Sequence, residues 1–152
     1  MKKILATLIF VISLTACGKY EDENVSVSEL GSAVSFAAGL KEYECKNLKD
    51  MDVAAAYGIA PREIEAGLVY YSTEEGCTDE VILVKSKDHD GLRNVEHAIE
   101  NHANMLALAY RYDDEERRRI ERHIFKTRGL YTLFALTDAP ERTEEVFDGM
   151  IS

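Results

Sequence analysis

Two stretches of this chain carry the same signal: β-rich runs either side of a turn, followed by apolar residues at helical spacing. Leu68-Val69-Tyr70-Tyr71 and Val81-Ile82-Leu83-Val84 flank the turn Glu74-Glu75-Gly76. His123 to Thr127 and Leu130 to Thr137 flank Arg128-Gly129. Strands joined by so short a connection pair antiparallel, because parallel pairing needs a crossover of a dozen residues or more. The chain is thereby confined to an antiparallel sheet with helices between its hairpins.

The helices are marked by caps and periodicity. Ser26-Val27-Ser28-Glu29 has capping-box spacing ahead of an apolar segment reaching Leu40, with Val34, Ala37 and Ala38 as its core face. Lys41 to Asp50 reads as a charged connection, and Met51 to Tyr57 as a small helix ended by Gly58. Pro61 suits the first turn of another short helix, to Glu65. Asp88 or Asp90 caps a long helix with apolar residues at Leu92, Val95, Ile99, Leu106 and Ala109, close to the helical period. Tyr112-Asp113-Asp114 breaks it, and Glu115 to His123 forms a charged helix whose Glu115–Arg119 and Arg117–Glu121 spacings allow pairing on a solvated face. Asp138-Ala139-Pro140-Glu141 opens the last helix with a second capping box, and Val146, Phe147 and Met150 give it an apolar face. The order helix, hairpin, helix, hairpin, helix predicts an α+β, two-layer sandwich: a four-stranded, mostly antiparallel sheet with helices on one face.

The opening residues belong to a different category. Met1-Lys2-Lys3, the apolar run Ile4 to Leu14, and Leu14-Thr15-Ala16-Cys17 form a charged region, a hydrophobic region and a small-residue cleavage site before a cysteine. This resembles the lipobox of bacterial lipoprotein signal peptides, in which the cysteine thiol is acylated and becomes the new N-terminus. The apolar run is about half the roughly 20 residues that span a bilayer as a helix. The expected organisation is a signal peptide over residues 1–16, a lipidated tether over 17–25 and one α+β domain over 26–152. A lipid anchor at Cys17 places that domain on the extracytoplasmic face of the cell membrane. Once the leader is removed, about 135 residues remain, the size of one domain with one core. The net charge of −10 disfavours nucleic acid and anionic lipid head groups, so acyl chains must supply the attachment.

Few constellations carry chemistry. His97 and His102 lie beside Glu96 and Glu100, yet two ligands on one helix need a spacing of three or four, and these are five apart. No metal site and no cofactor is expected. His89, between Asp88 and Asp90, reads as part of a capping turn. Cys45 and Cys77 are a candidate disulfide outside the membrane, but a domain with its own core does not need one. Gly76-Cys77-Thr78 sits in a turn with no helix N-terminus to activate the thiol. No G-x-S-x-G or phosphate-binding glycine loop occurs, and Asp113-Asp114-Glu115-Glu116 lacks the alternation of a calcium loop and reads as a helix cap. Tyr70, Tyr71 and Tyr131 read as half-buried sheet residues before they read as a ligand platform.

Taken in order, Tyr57-Gly58-Ile59, Tyr70, Glu80-Val81 to Val84-Lys85, a helix ending at Tyr112, and Arg128-Gly129-Leu130-Tyr131 before Pro140-Glu141 resemble the family called domain of unknown function 4358. That family occurs in lipoproteins of Gram-positive bacteria, and the resemblance runs from Glu29 to Ile151. Asp114 stands where a proline is more typical, which touches only a helix start. The family has no assigned activity, so the resemblance implies architecture and address and no catalytic residue. These readings favour a lipid-anchored binding or accessory module, contacting an envelope protein or a small ligand. The alternative is an envelope-associated hydrolase or metal-dependent enzyme without a recognisable motif. A two-lobed solute clamp needs a longer chain.

Overall fold

Ser26 starts the first helix as its spacing to Glu29 predicts: its hydroxyl accepts the Glu29 N–H at 3.1 Å. In the computed structural model, which describes residues 25–151, this helix is α1, Val27–Ala38, closed by Gly39 at φ 73°. The leader, Cys17 and almost all of the tether lie outside the described residues. After α1 come β1 (Tyr43–Asn47), α2 (Met51–Ala56), β2 (Ile64–Ser72) and β3 (Glu80–Ser86). The chain continues through α3 (His89–Ala109), α4 (Asp114–Ile120), β4 (Ile124–Arg128), β5 (Tyr131–Leu136) and α5 (Pro140–Met150).

Both expected hairpins form, β2–β3 and β4–β5, and β3 pairs antiparallel with β5 to join them. The sheet has five strands, not four, in the order β1-β2-β3-β5-β4, and every pairing is antiparallel. The additional strand, β1, lies in the segment read as a charged connection. It is an edge strand with all five residues exposed, so it carries no apolar alternation to betray it.

The helices cover both faces of the sheet, which corrects the two-layer expectation. Val81 and Leu83 face α1 and α5 in a core with Leu30, Val34 and Phe147. Ile82 and Val84 face α3 in a second core with Val95, Ile99, Ile120 and Phe134. Successive residues of a strand point to opposite faces, so an unbroken apolar run such as Val81 to Val84 needs cover on both sides.

Three local readings also change. Pro61 begins a turn rather than a helix, and Ile64 and Glu65 already belong to β2. Ala139, not Asp138, is the N-cap of α5; Pro140 follows in the first turn, and the Thr137 hydroxyl accepts the Ala139 N–H at 3.1 Å. The Arg117–Glu121 pair forms at 2.8 Å, whereas Arg119 turns inward instead of pairing with Glu115. Thr137 also donates to the Ala38 carbonyl at 2.5 Å, tying the end of β5 to the end of α1.

Candidate functional site

Glu80 is the first residue of β3, opposite Tyr71 and Leu136. Its side chain therefore shares the α3 face with Ile82 and Val84. A carboxylate in that position is only 10 % exposed and needs partners to offset its desolvation. It has two. The Tyr57 hydroxyl donates to Oε1, and His102 Nε2 donates to Oε2 at 2.6 Å. A carboxylate only accepts, so the His102 proton resides on Nε2.

Local structure brings these groups together. Tyr57 is the C-cap of α2, and Gly58, at φ 67°, turns the chain away immediately behind it. His102 sits one residue before Ala103, on the buried side of α3. The Tyr57 and His102 rings are 4.9 Å apart. His102 meets the ring of Phe134 edge-on at 5.6 Å, and His123 meets the same ring at 5.1 Å. Phe134, fully buried on β5, is thus a wall for both histidines.

Three hollows adjoin this cluster, and Tyr57 lines each. One of about 300 Å³ is bordered by Tyr71, Tyr110, Leu106, Cys77 and Glu80 as well as Tyr57. A second, of about 400 Å³, takes in Gly58, His97, Asn101, His102 and Met105. The third, of about 320 Å³, lies between α2 and the β1–β2 edge, with Lys46, Val53, Val69 and Tyr71. Beyond the first, Arg119 closes the hairpin end. It binds Asp79, Glu116 at 3.0 Å and Asp138 at 3.0 Å, clamping α4 to the β2–β3 connection.

The two histidines weighed as a metal pair line one hollow but take different partners. His97 is exposed and bonds Asn101 at 2.9 Å, while His102 faces Glu80. Among the described residues no group of three or more His, Cys, Asp or Glu could hold a metal ion. Cys45 and Cys77 are free thiols, not a disulfide. Cys45 pairs with Tyr70 in β1–β2, on the α1 face, whereas Cys77 lines the cleft on the α3 face, so the sheet separates them. His89 is the first residue of α3, and Asp88 is its cap, accepting the Gly91 N–H at 2.8 Å. Asp113 caps α4, accepting the Glu115 and Glu116 N–H groups. Tyr70 and Tyr131 are buried in the α1-side core, Tyr71 lies on the other face, and the three do not form a strip. The Tyr57–Glu80–His102 set was missed by sequence reasoning, though an acidic residue directly ahead of an apolar strand is the signal that could have found it.

Residues 38–137 match the family described as a domain of unknown function, DUF4358. The chain belongs to this family. The DUF4358 match covers about two thirds of the chain and takes in Tyr57, Glu80, His102 and Phe134. It is narrower than the expected span, omitting nearly all of α1 and the whole of α5. No curated protein and no solved structure matches the chain. Among the described residues, no helix is long and apolar enough to cross a membrane.

Two tyrosines give the domain an alkaline limit. Burial, then the charge and hydrogen bond of Glu80, push the Tyr57 hydroxyl well above the ordinary tyrosine range. Burial, with the Cys45 thiol beside it, pushes Tyr70 from 10.0 up to about 12. A pKa raised by folding stabilises the native state fully below the unfolded value, and that contribution is lost as pH rises through the folded value. Stability should therefore fall from pH 10.0 upward, the Tyr70 contribution being lost by about 12 and that of Tyr57 at higher pH, with two tyrosinate steps delayed. Ultraviolet difference absorbance recorded beside near-ultraviolet circular dichroism checks this, and Tyr70→Phe should remove one late step.

Proposed function

We propose that this DUF4358 chain is a lipid-anchored, extracytoplasmic binding module of a bacterial envelope. Its Tyr57–Tyr71–Tyr110 cleft receives a small ligand carrying an amine or ammonium group. The attachment rests on the Leu14-Thr15-Ala16-Cys17 pattern, with Cys17 as the acylated residue. The ligand reading is carried by one observation: three tyrosines and Leu106 surround a cleft of about 300 Å³ that also contacts the buried Glu80 carboxylate. Its size is at the lower end of small-molecule sites. Aromatic faces beside a carboxylate suit a cationic group, which gains from ring quadrupoles and from the negative charge together. Tyr57 and His102 each bond one Glu80 oxygen, which orients the carboxylate as a negative charge beside the cleft.

Cys77 borders the same cleft, and this is the one feature that favours a hydrolase instead. A cysteine hydrolase needs the thiol within reach of its base, yet Cys77 makes no hydrogen bond to His102, which lines the neighbouring hollow and not this one. The chain has no tryptophan, so its emission comes from eight tyrosines, three of which line the cleft. Titration with alkylammonium and diamine probes should quench it saturably, and neutral polyols of equal size should not. Tyr110→Ala should weaken binding at least about tenfold by removing one aromatic wall, while His97→Ala leaves it unchanged. Absence of saturation at millimolar amine would refute the ligand reading, and turnover of an envelope ester or amide lost in Cys77→Ser would establish the hydrolase. Mass spectrometry of the membrane fraction should find diacylglycerol on an N-terminal Cys17 peptide.

A further inference from the structure

We infer that the free edge of β1 pairs with β1 of a second copy of this chain, antiparallel and centred on Cys45. The inference stands apart from the ligand reading, since it uses neither the cleft nor the lipid anchor.

β1 pairs only with β2 among the described strands, and all five of its residues are exposed. Its backbone parity follows from two hydrogen bonds that extend the ladder: Thr73 N–H to Glu42 C=O, and Leu48 N–H to Gly67 C=O, both 2.9 Å. Hydrogen-bonded positions alternate in an antiparallel pair, so Glu44 and Lys46 point their backbone groups at β2. Tyr43, Cys45 and Asn47 consequently turn theirs outward, the Asn47 carbonyl also accepting the Asp50 N–H at 3.1 Å. An exposed row of this kind is a template for another strand.

Parity and charge together select one register. A two-fold antiparallel pair must oppose outward-facing residues to one another, which allows centring on residue 44, 45 or 46. Centring on Glu44 sets Glu44 against its own copy, and centring on Lys46 sets two lysines together. Centring on Cys45 places Glu44 opposite Lys46 of the second copy, and the reverse, while Tyr43 meets Asn47. Only this register is charge-complementary, and it pairs the whole strand. Opposite charges directly across a ladder stabilise it and like charges destabilise it. The other sheet edge is less suited. On β4, Lys126 is held by Glu144 at 2.6 Å and Asp148 at 2.5 Å, and Ile124 is buried. A pairing of five residues buries little area, so the dimer is weak and concentration-dependent.

The test uses the full chain in mild detergent carrying Cys17→Ser and Cys77→Ser, which leaves Cys45 as its sole thiol. Hydrogen-bonded antiparallel partners have Cα atoms about 5.5 Å apart, within the range a disulfide spans. Diamide, which takes two electrons and two protons from two thiols, should convert this chain to a covalent dimer more readily as concentration rises. Sedimentation without oxidant should show a reversible monomer–dimer equilibrium. Glu44→Lys alone, and Lys46→Glu alone, should each raise the dimer Kd about tenfold or more. Mixing these two variants should restore dimerisation as a heterodimer, which a folding defect would not do. In Cys45→Pro an outward N–H is removed while the β2 ladder is spared, so the chain should fold as a monomer. A chain that stays monomeric to millimolar concentration overturns the inference. So does a dimer indifferent to both charge reversals, or a mixture that fails to recover.

Discussion

Phe134→Ala should lower the stability of this domain by about 3–5 kcal/mol, the range for truncating a buried phenylalanine. Phe134 is fully buried on β5, between Ile82 of β3 and Phe125 of β4 in the ladder. It packs in the core beneath α3 with Val95, Ile99 and Ile120. Strands on both sides hold the backbone at this position, so the cavity cannot close by moving it. The loss is a large part of the roughly 5–15 kcal/mol available to a domain, and the midpoint of thermal unfolding should fall by roughly 10–20 °C. His102 and His123 both rest on this ring, so His102 should also lose its fixed orientation toward Glu80. Urea unfolding followed by circular dichroism measures the first effect, and broadening of the His102 imidazole resonances the second. Phe134→Leu should recover most of the stability. A cost below about 1 kcal/mol would place Phe134 outside the true core.

Gly91→Ala should destabilise the domain even though alanine is the better helix former by about 1 kcal/mol. Gly91 lies in the first turn of α3, and a Cβ there would sit 2.5 Å from the Glu63 carbonyl oxygen. That carbonyl has no easy retreat, because it accepts the Lys87 N–H at 3.0 Å. The Asn94 amide donates to the Glu63 side chain at 2.9 Å and fastens the same seam. Overpacking against backbone costs about 1–3 kcal/mol or more, so the intrinsic gain is outweighed. Gly149→Ala provides the opposite sign. It lies in the last turn of α5, with nothing but its chain neighbours and local helix backbone within 4 Å of the added methyl, and should stabilise by up to about 1 kcal/mol. Denaturant midpoints of the two variants on one plot check both. A neutral Gly91→Ala would mean that α3 does not dock closely on the 61–63 turn.

How far the site was legible in the sequence depends on the range of the interaction that builds it. The five-residue spacing of His97 and His102 is read from the sequence alone, and the structure gives the two different partners, Asn101 and Glu80. Where His102 points is a different matter, because Glu80 is 22 residues away and Tyr57 belongs to a third element. No local pattern marks such a meeting. Arg119 illustrates the same limit: its spacing to Glu115 suits a surface pair, yet Asp79 and Asp138, from two distant turns, draw it inward.

Caps, turns and apolar periods act over a few residues, and they sufficed for α1, α3, both hairpins and the antiparallel sense of the sheet. They also identified the family, whose ordered motifs are local in the same sense. Packing decided the rest. The second covered face, the strand β1 and the assembly of Tyr57, Glu80 and His102 arise from contacts between elements remote in sequence. Val81 to Val84 shows the boundary most clearly. Its unbroken apolar run demanded burial on both sides, but only the docking of α1 and α5 opposite α3 supplied the surfaces that meet the demand.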